Sequence, residues 1–408
     1  MATAGGRSEC LKASLLLFLL GTAVTVYQWL NWPSPGFGAG VESVALARNL
    51  AEHGVFANPF AGVETGPSAH LAPLFPFFLA GLIKLFEFTP VFVLAASLMA
   101  AVAHGLHAAL LPWVSRLFYS TIAPGVAAAL LSVILPALQF TPAWEPIYTA
   151  DGLMLFCLCC GRLPLLAGRG SVMAGAFAGL LMLLNPATIF VTGPWFFLQA
   201  RRQRARAVFV LGILAVCLPW NLRNYRQFHQ WFFIRDNLGL ELQSSNNDQA
   251  TSSDVLNHWN GDHAATQLHF NHAEAAKMRG LGEAEYNRQR MAMALDWIRA
   301  HPARFVELTL RRTWEFWFPN PAAVAMHSYT IWLITALSIP GMLLRTTARS
   351  FIASVCVLYP LVYYLVQSSV RFRYPILWLS LLAAGYGIIQ LVNLAGQAGT
   401  WRSHAVSG

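Results

Sequence analysis

GFGAGVESVALARNLAEHGVFANPFAGVETGPSAHLAPLFP, residues 36–76, is a polar stretch punctuated by Gly and Pro that directly follows the first apolar run. It carries Glu42, Glu52 and Glu64 in a chain with 18 Asp and Glu, 11 of which fall in 221–325. GVESVALARNLAEHG reads as a short helix with Glu42 at its start and Arg48 and Asn49 nearby. In TGPSAHLAPLFP, Gly66, Pro67 and Pro73 fix a rigid turn that presents Thr65 and His70. A carboxylate held beside a lipid-facing bundle is costly unless it has a task. The alternative is a solvated interfacial helix, where charge is expected.

Composition supplies the bundle. The chain has 408 residues, 56% hydrophobic and 11% charged, against about 25% charged in a soluble domain. We read it as an all-α polytopic membrane protein, a single membrane domain over 1–408. Runs able to cross as helices lie near 12–31, 90–111, 122–140, 151–167, 171–185, 187–200, 207–222, 327–344, 350–368 and 374–394, with a further candidate at 71–88. The first run lacks a small-x-small cleavage site and reads as an uncleaved span.

Charge sets the expected orientation. The amino terminus and the cluster Arg201, Arg202, Arg204 and Arg206 belong in the cytoplasm, so an even number of crossings separates them. One of the seven candidates between them must fail to cross. With Pro73, Pro76 and Lys84, 71–88 is expected to dip in or lie along the surface; the other solution merges 171–200 into one kinked helix at Asn185-Pro186. Arg116, Arg162, Arg169, Arg345, Arg349 and both termini then fall on the cytoplasmic side. Residues 36–70, 141–150, 221–325 and 369–373 fall together on the other. Thus 32–88 is a first outer loop with surface helices, and 221–325 a larger one. The larger loop has 11 acids against 11 Lys and Arg. Met291, Leu295 and Ile298 mark one amphipathic helix in it, and a second follows Pro302 from about Arg304.

The net charge of +9 lies largely in short anchors between spans, so a nucleic-acid partner is not expected. Six cysteines in or beside apolar runs exclude a disulfide framework, and Cys157 and Cys160 read as small core residues.

Three blocks carry a resemblance. Gly40-Val41-Glu42, Leu46 to Leu50, Pro59-Phe60, Thr65 to Ala69 and Ala72 to Pro76 resemble the first outer loop of GT-C glycosyltransferases. The branch they look most like is family-39-like, a group that includes protein O-mannosyltransferases and the lipid A aminoarabinose transferase. PWNLRNYRQFHQWFFIRDNLGLELQSSNND (219–248) is similar to a PW-x-x-RNY…R-x-N-x-G-x-E block, and SSVRFRYPILWL (368–379) to R-[YF]-R-x-P-I.

The resemblance implies a GT-C bundle of about 10–11 transmembrane helices. It also implies transfer of a sugar from a polyprenyl-phosphate donor to a lipid, protein or glycan acceptor, with inversion at the anomeric carbon as in the family, at the outer face of a bacterial inner membrane. Glu42 would be the general base on the acceptor hydroxyl. Arg223, Arg371 and Arg373 would hold the leaving phosphate, with His70, Glu145 and Glu241 as further substrate-binding groups and the spans holding the isoprenoid.

Other readings stay open beside these. Arg223, Arg226 and Arg235 could be headgroup anchors, and Arg371 and Arg373 could pair with a loop acid such as Glu241. In PAWEPIYTADG, Glu145 or Asp151 could assist Glu42 or cap a helix. A catalytically inactive member is one rival, supported by the lack of an Asp paired with Glu42 and by Asn185 standing where relatives often carry Arg-Pro or Lys. A polyprenyl-lipid transporter or binding protein is the other rival, but it would want paired ionisable residues within the spans, which the sequence does not display. No cofactor is expected. His258, His263, His269 and His272, with Asp262, match no fixed zinc pattern, so no metal site is assigned and a divalent cation is the alternative.

Overall fold

A computed structural model of the chain describes residues 4–31, 41–60, 62–135, 142–161, 168–200, 202–259, 268–269, 271–322, 325–344, 346 and 348–406. Gly40, Arg162, Arg201, Asp262, His263 and Arg345, named above, lie outside them, as does the side chain of His258. Among the described residues there are helices and two isolated β-bridges, but no strand.

The first half of the chain forms α1 (Ala4–Asn31), α2 (Glu42–His53), α3 (Leu74–Phe86), α4 (Pro90–Tyr119), α5 (Ala123–Ile134), α6 (Pro146–Cys160), α7 (Arg169–Leu184) and α8 (Ile189–Gln199). Next come α9 (Gln203–Phe228), α10 (Leu238–Ser245), α11 (Asp254–Trp259), α12 (His272–Leu281), α13 (Glu283–Ala300) and α14 (Pro302–Trp317). The chain closes with α15 (Ala325–Leu343), α16 (Arg349–Leu358), α17 (Leu361–Leu365) and α18 (Tyr374–Val406).

Among the described residues four helices are long and apolar enough to cross a membrane: Gly6–Asn31, Pro90–Tyr119, Gln203–Phe228 and Val370–Ala395. This is a multi-pass membrane protein. Other expected spans are shorter helices, because prolines interrupt the apolar runs: Pro360 separates α16 from α17, and Pro186 opens a 3-10 turn after α7.

That turn reverses the chain. Phe209 of α9 stacks on Phe196 of α8 with ring centroids 4.1 Å apart, and its carbonyl also abuts Gly175 of α7. In one continuous helix residues 175 and 196 would be about 30 Å apart at 1.5 Å per residue. So α7 and α8 form a hairpin rather than one kinked helix. The close approach needs glycine: a Cβ on Gly175 would overlap the Phe209 carbonyl, and one on Gly212 the Val172 carbonyl.

Helix α3 stays in one half of the bundle. Phe75 and Phe78 meet Tyr148 near the start of α6, and the chain enters α4 soon after Phe86. Val44 and Ala47 of α2 pack with Leu79, Ile83, Phe92 and Ala143 in one apolar cluster. At the opposite end, Arg116 donates to the Gly6 carbonyl and Tyr119 stacks on Tyr386 at 4.4 Å. The start of α1 and the later part of α18 therefore lie away from α2.

Candidate functional site

Helix α2 presents Glu42 in its first turn, where the helix dipole favours a carboxylate. The helix is pinned beneath by the Ser43 hydroxyl, which donates to the Ala143 carbonyl at 2.6 Å, and ends on Gly54 at φ 72°. The chain then folds back through a tight loop. Asn58, at φ 55°, accepts the backbone N–H groups of Thr65 and Gly66 on its side-chain oxygen. Its outcome is a buried His70 whose Nε2 lies 3.4 Å from Glu42 Oε1. His269 brings its Nε2 to 3.9 Å from the same oxygen. Both imidazoles meet the Phe60 ring edge-on, at centroid distances of 4.9 and 5.2 Å.

The electrostatics follow from this packing. Burial pushes Glu42 upward, but the charge of His70 and hydrogen bonding from His269 and His70 outweigh it, holding the carboxyl well below 4.5. Burial likewise pushes His70 down, and Glu42 more than offsets it, raising the imidazole above 6.5. Glu42 is therefore ionised at neutral pH, with its side chain still about one-third exposed at 35%.

Two guanidinium groups complete the site. Arg371 lies over the Trp144 ring at 4.8 Å, with Nη2 3.4 Å from Asp254 Oδ2, and its charge is supported by Asp254, Glu42, Glu241 and Glu145. Arg235 donates from Nε to the His70 carbonyl at 2.9 Å. It follows Ile234, a fully buried β-branched residue at φ 63°. That conformation is strained and persists only where neighbours fix it. Asn221 accepts the Ile234 N–H at 2.9 Å, while Trp220 Nε1 and Asn224 Nδ2 donate to its carbonyl. The PWNLRN segment thus clamps the turn that aims Arg235.

Glu145, just before α6, accepts a hydrogen bond from Asn185 Nδ2 at 3.4 Å, and Glu241 accepts one from Asn237. Burial pushes both carboxyls up, against the opposing charges of Arg235 and Arg371 on Glu145 and of His70 and Arg235 on Glu241. Glu283 accepts the Ala69 N–H at 2.6 Å, and burial moves it up to about 7. The arrangement brings the Glu42 carboxylate within electrostatic reach of the Arg371 guanidinium, with Arg235 held on the carbonyl of the neighbouring His70, which suits proton acceptance beside an anion.

Two expected phosphate ligands are engaged elsewhere. Arg223 donates to the carbonyls of Phe56 and Ser68 and rests 4.8 Å over Trp220, so it braces the His70 loop. Arg373 is buried at 1% exposure and donates to the Trp317 carbonyl, Thr335 and Ser380. Its alternation with Arg371 sends it into the bundle. Asp151 is not at a loop edge either: it sits inside the bundle, 3.0 Å from Nδ1 of His107 on α4. This pair corrects the expectation that the spans lack paired ionisable groups. Asn185, which stands where relatives often carry Arg or Lys, donates to Glu145 and caps the 3-10 turn. Sequence reading passed over Trp144, Asp254, Glu283 and the approach of His269 to Glu42. Only Asp254, following Ser252-Ser253 ahead of a helix, had a local signal. Among the described residues no group of three His, Cys, Asp or Glu could hold a metal.

No family model and no curated protein matches the chain. Among solved structures it is similar to the archaeal oligosaccharyltransferase AglB from Archaeoglobus fulgidus, solved in complex with an inhibitory peptide and a dolichol-phosphate. The TM-score is 0.53 at 12% identity, over 98% of this chain and 52% of that one, so this chain spans about half that protein's length. At this identity the likeness is one of architecture: the chain has an all-α fold similar to that membrane enzyme's.

Proposed function

We propose that the protein transfers a sugar from a polyprenyl-phosphate donor to an acceptor hydroxyl at the outer face of the membrane, with both termini on the cytoplasmic side. The carrying observation is the pairing of Glu42 with buried His70 within electrostatic reach of Arg371. The acceptor oxygen attacks the anomeric carbon as its proton passes to the Glu42 carboxylate. The bond from that carbon to the phosphate oxygen breaks, and the electron pair leaves with the phosphate. Arg371 and Arg235 stabilise the charge that develops there. A single displacement of this kind inverts the anomeric centre. The reading invokes no cofactor, which a comparison of turnover with chelator and with added divalent cation tests.

Glu42 is a weak base while His70 holds it well below 4.5, because an efficient base has a value near the working pH. The donor phosphate, an anion entering near Glu42, raises that value, so the pair works as a unit: Glu42 takes the proton and His70 keeps the carboxylate aimed.

The test uses purified wild type and Glu42→Gln in detergent with a panel of polyprenyl-phosphate sugars, followed by mass spectrometry. Turnover by wild type alone is expected. Turnover retained in Glu42→Gln would remove it as the base, and binding without turnover by wild type would favour a lipid-binding role.

A further inference from the structure

Beside Arg371, on the side lined by Asp254, a cavity of about 190 Å³ opens. Its wall includes Trp144 and Val255, and its polar edge includes Asp254, Glu315, Asn320 and Arg371. These residues come from four separate segments, three of them joined by one clip. Asp254 N–H donates to the Ser368 carbonyl at 2.8 Å and Ser368 N–H to the Ser252 carbonyl at 2.6 Å, around an isolated parallel bridge between Ser253 and Ser368. The Ser252 hydroxyl donates to Glu315 at 2.7 Å, so the same clip positions both carboxylates.

Size and chemistry narrow the occupant. At about 30 Å³ per water the space equals about six waters, roughly what one sugar ring displaces. The wall offers apolar surface and the edge offers mostly acceptors. Fixed carboxylates suit hydroxyl donors and repel a second anion.

We propose that this cavity is a subsite for one uncharged glycosyl ring, attached to the phosphate taken by Arg371, with Asp254 and Glu315 accepting hydrogen bonds from its hydroxyls. This rests on Arg371 as the phosphate partner in the function proposed above. The cavity admits a neutral hexose and disfavours a hexuronate.

The test measures dissociation constants of the full chain in detergent for farnesyl phosphate, farnesyl-phosphate glucose and farnesyl-phosphate glucuronate. Glucose is expected to tighten binding about tenfold over farnesyl phosphate, the worth of one hydrogen bond to a charged acceptor, and glucuronate to weaken it. Glu315→Gln and the cavity-filling Val255→Phe are expected to keep farnesyl phosphate affinity while losing the glucose gain. A wild type that binds glucose conjugate no tighter than farnesyl phosphate, or a gain kept by both variants, would overturn the subsite. Failure to bind farnesyl phosphate would overturn the phosphate reading and the subsite together. Binding with the expected pattern but no transfer supports the subsite while removing the chemistry.

Discussion

Nε2 of His70 stands 3.4 Å from Oε1 of Glu42, on a loop whose carbonyls are held by Arg223 at Phe56 and Ser68 and by Arg235 at His70 itself. Much of the polar chemistry in this loop is therefore mechanical: it fixes one imidazole against one carboxylate. Each moves the other's titration away from its ordinary value.

The pH dependence follows with opposite signs for the two groups. Glu42, lowered in the fold, adds stability that is present above its ordinary 4.5 and lost as pH falls through its folded value. His70, raised in the fold, adds stability that is present below its ordinary 6.5 and lost as pH rises through its folded value. Both contributions are present together between those two ordinary values. The melting temperature of wild type in detergent is expected to exceed that of His70→Gln most in that window, with the gap narrowing as pH rises beyond it. A gap independent of pH would show that the pair does not titrate as described.

Asn221 is expected to matter through Ile234. Its side chain satisfies the Ile234 N–H, and Asn221→Ala would leave that buried group unpaired at a cost of about 1–3 kcal/mol. Because Ile234 is held at φ 63°, the turn would relax and Arg235 would move with it. A thermal melt reads the first effect. Weaker binding of farnesyl phosphate, beyond that of an equally destabilised variant elsewhere, reads the second.

How much of this was legible in the sequence depends on the range of the interaction. The apolar runs, the helix opening at Glu42 and the turn at Gly66-Pro67 are local patterns, and each has its counterpart in the fold. The hairpin of α7 and α8 was legible as two runs split at Asn185-Pro186. What the Arg side chains do was not. Arg371 and Arg373 differ by two positions on a short 3-10 turn, and only the packing of Thr335 and Ser380 turns one inward while Trp144 receives the other. The Asp254 and Glu315 edge of the cavity depends on a bridge between residues 253 and 368, which no local pattern encodes.

The His107–Asp151 pair offers a test of the bundle interior. Both side chains are buried, and they join α4 to α6 at 3.0 Å. Asp151→Ala would strand His107 in a setting with little water, costing about 1–3 kcal/mol. Asp151→Asn retains a side chain able to accept or donate and is expected to cost less. The comparison is read as melting temperature in detergent. Equal losses would mean that the hydrogen bond contributes little beyond the space Asp151 fills.

Arg371 and Arg373 make the sharpest contrast. Arg371→Lys keeps the charge but loses the planar fork over Trp144, and is expected to weaken farnesyl phosphate binding about tenfold or more with little change in melting temperature. Arg373→Lys removes donors from the Trp317 carbonyl, Thr335 and Ser380 deep in the bundle, so it is expected to lower the melting temperature while sparing that affinity. The two substitutions are chemically identical and two residues apart. A selective loss of phosphate binding in Arg373→Lys, with Arg371→Lys unaffected, would invert the assignment and make the inward arginine the ligand.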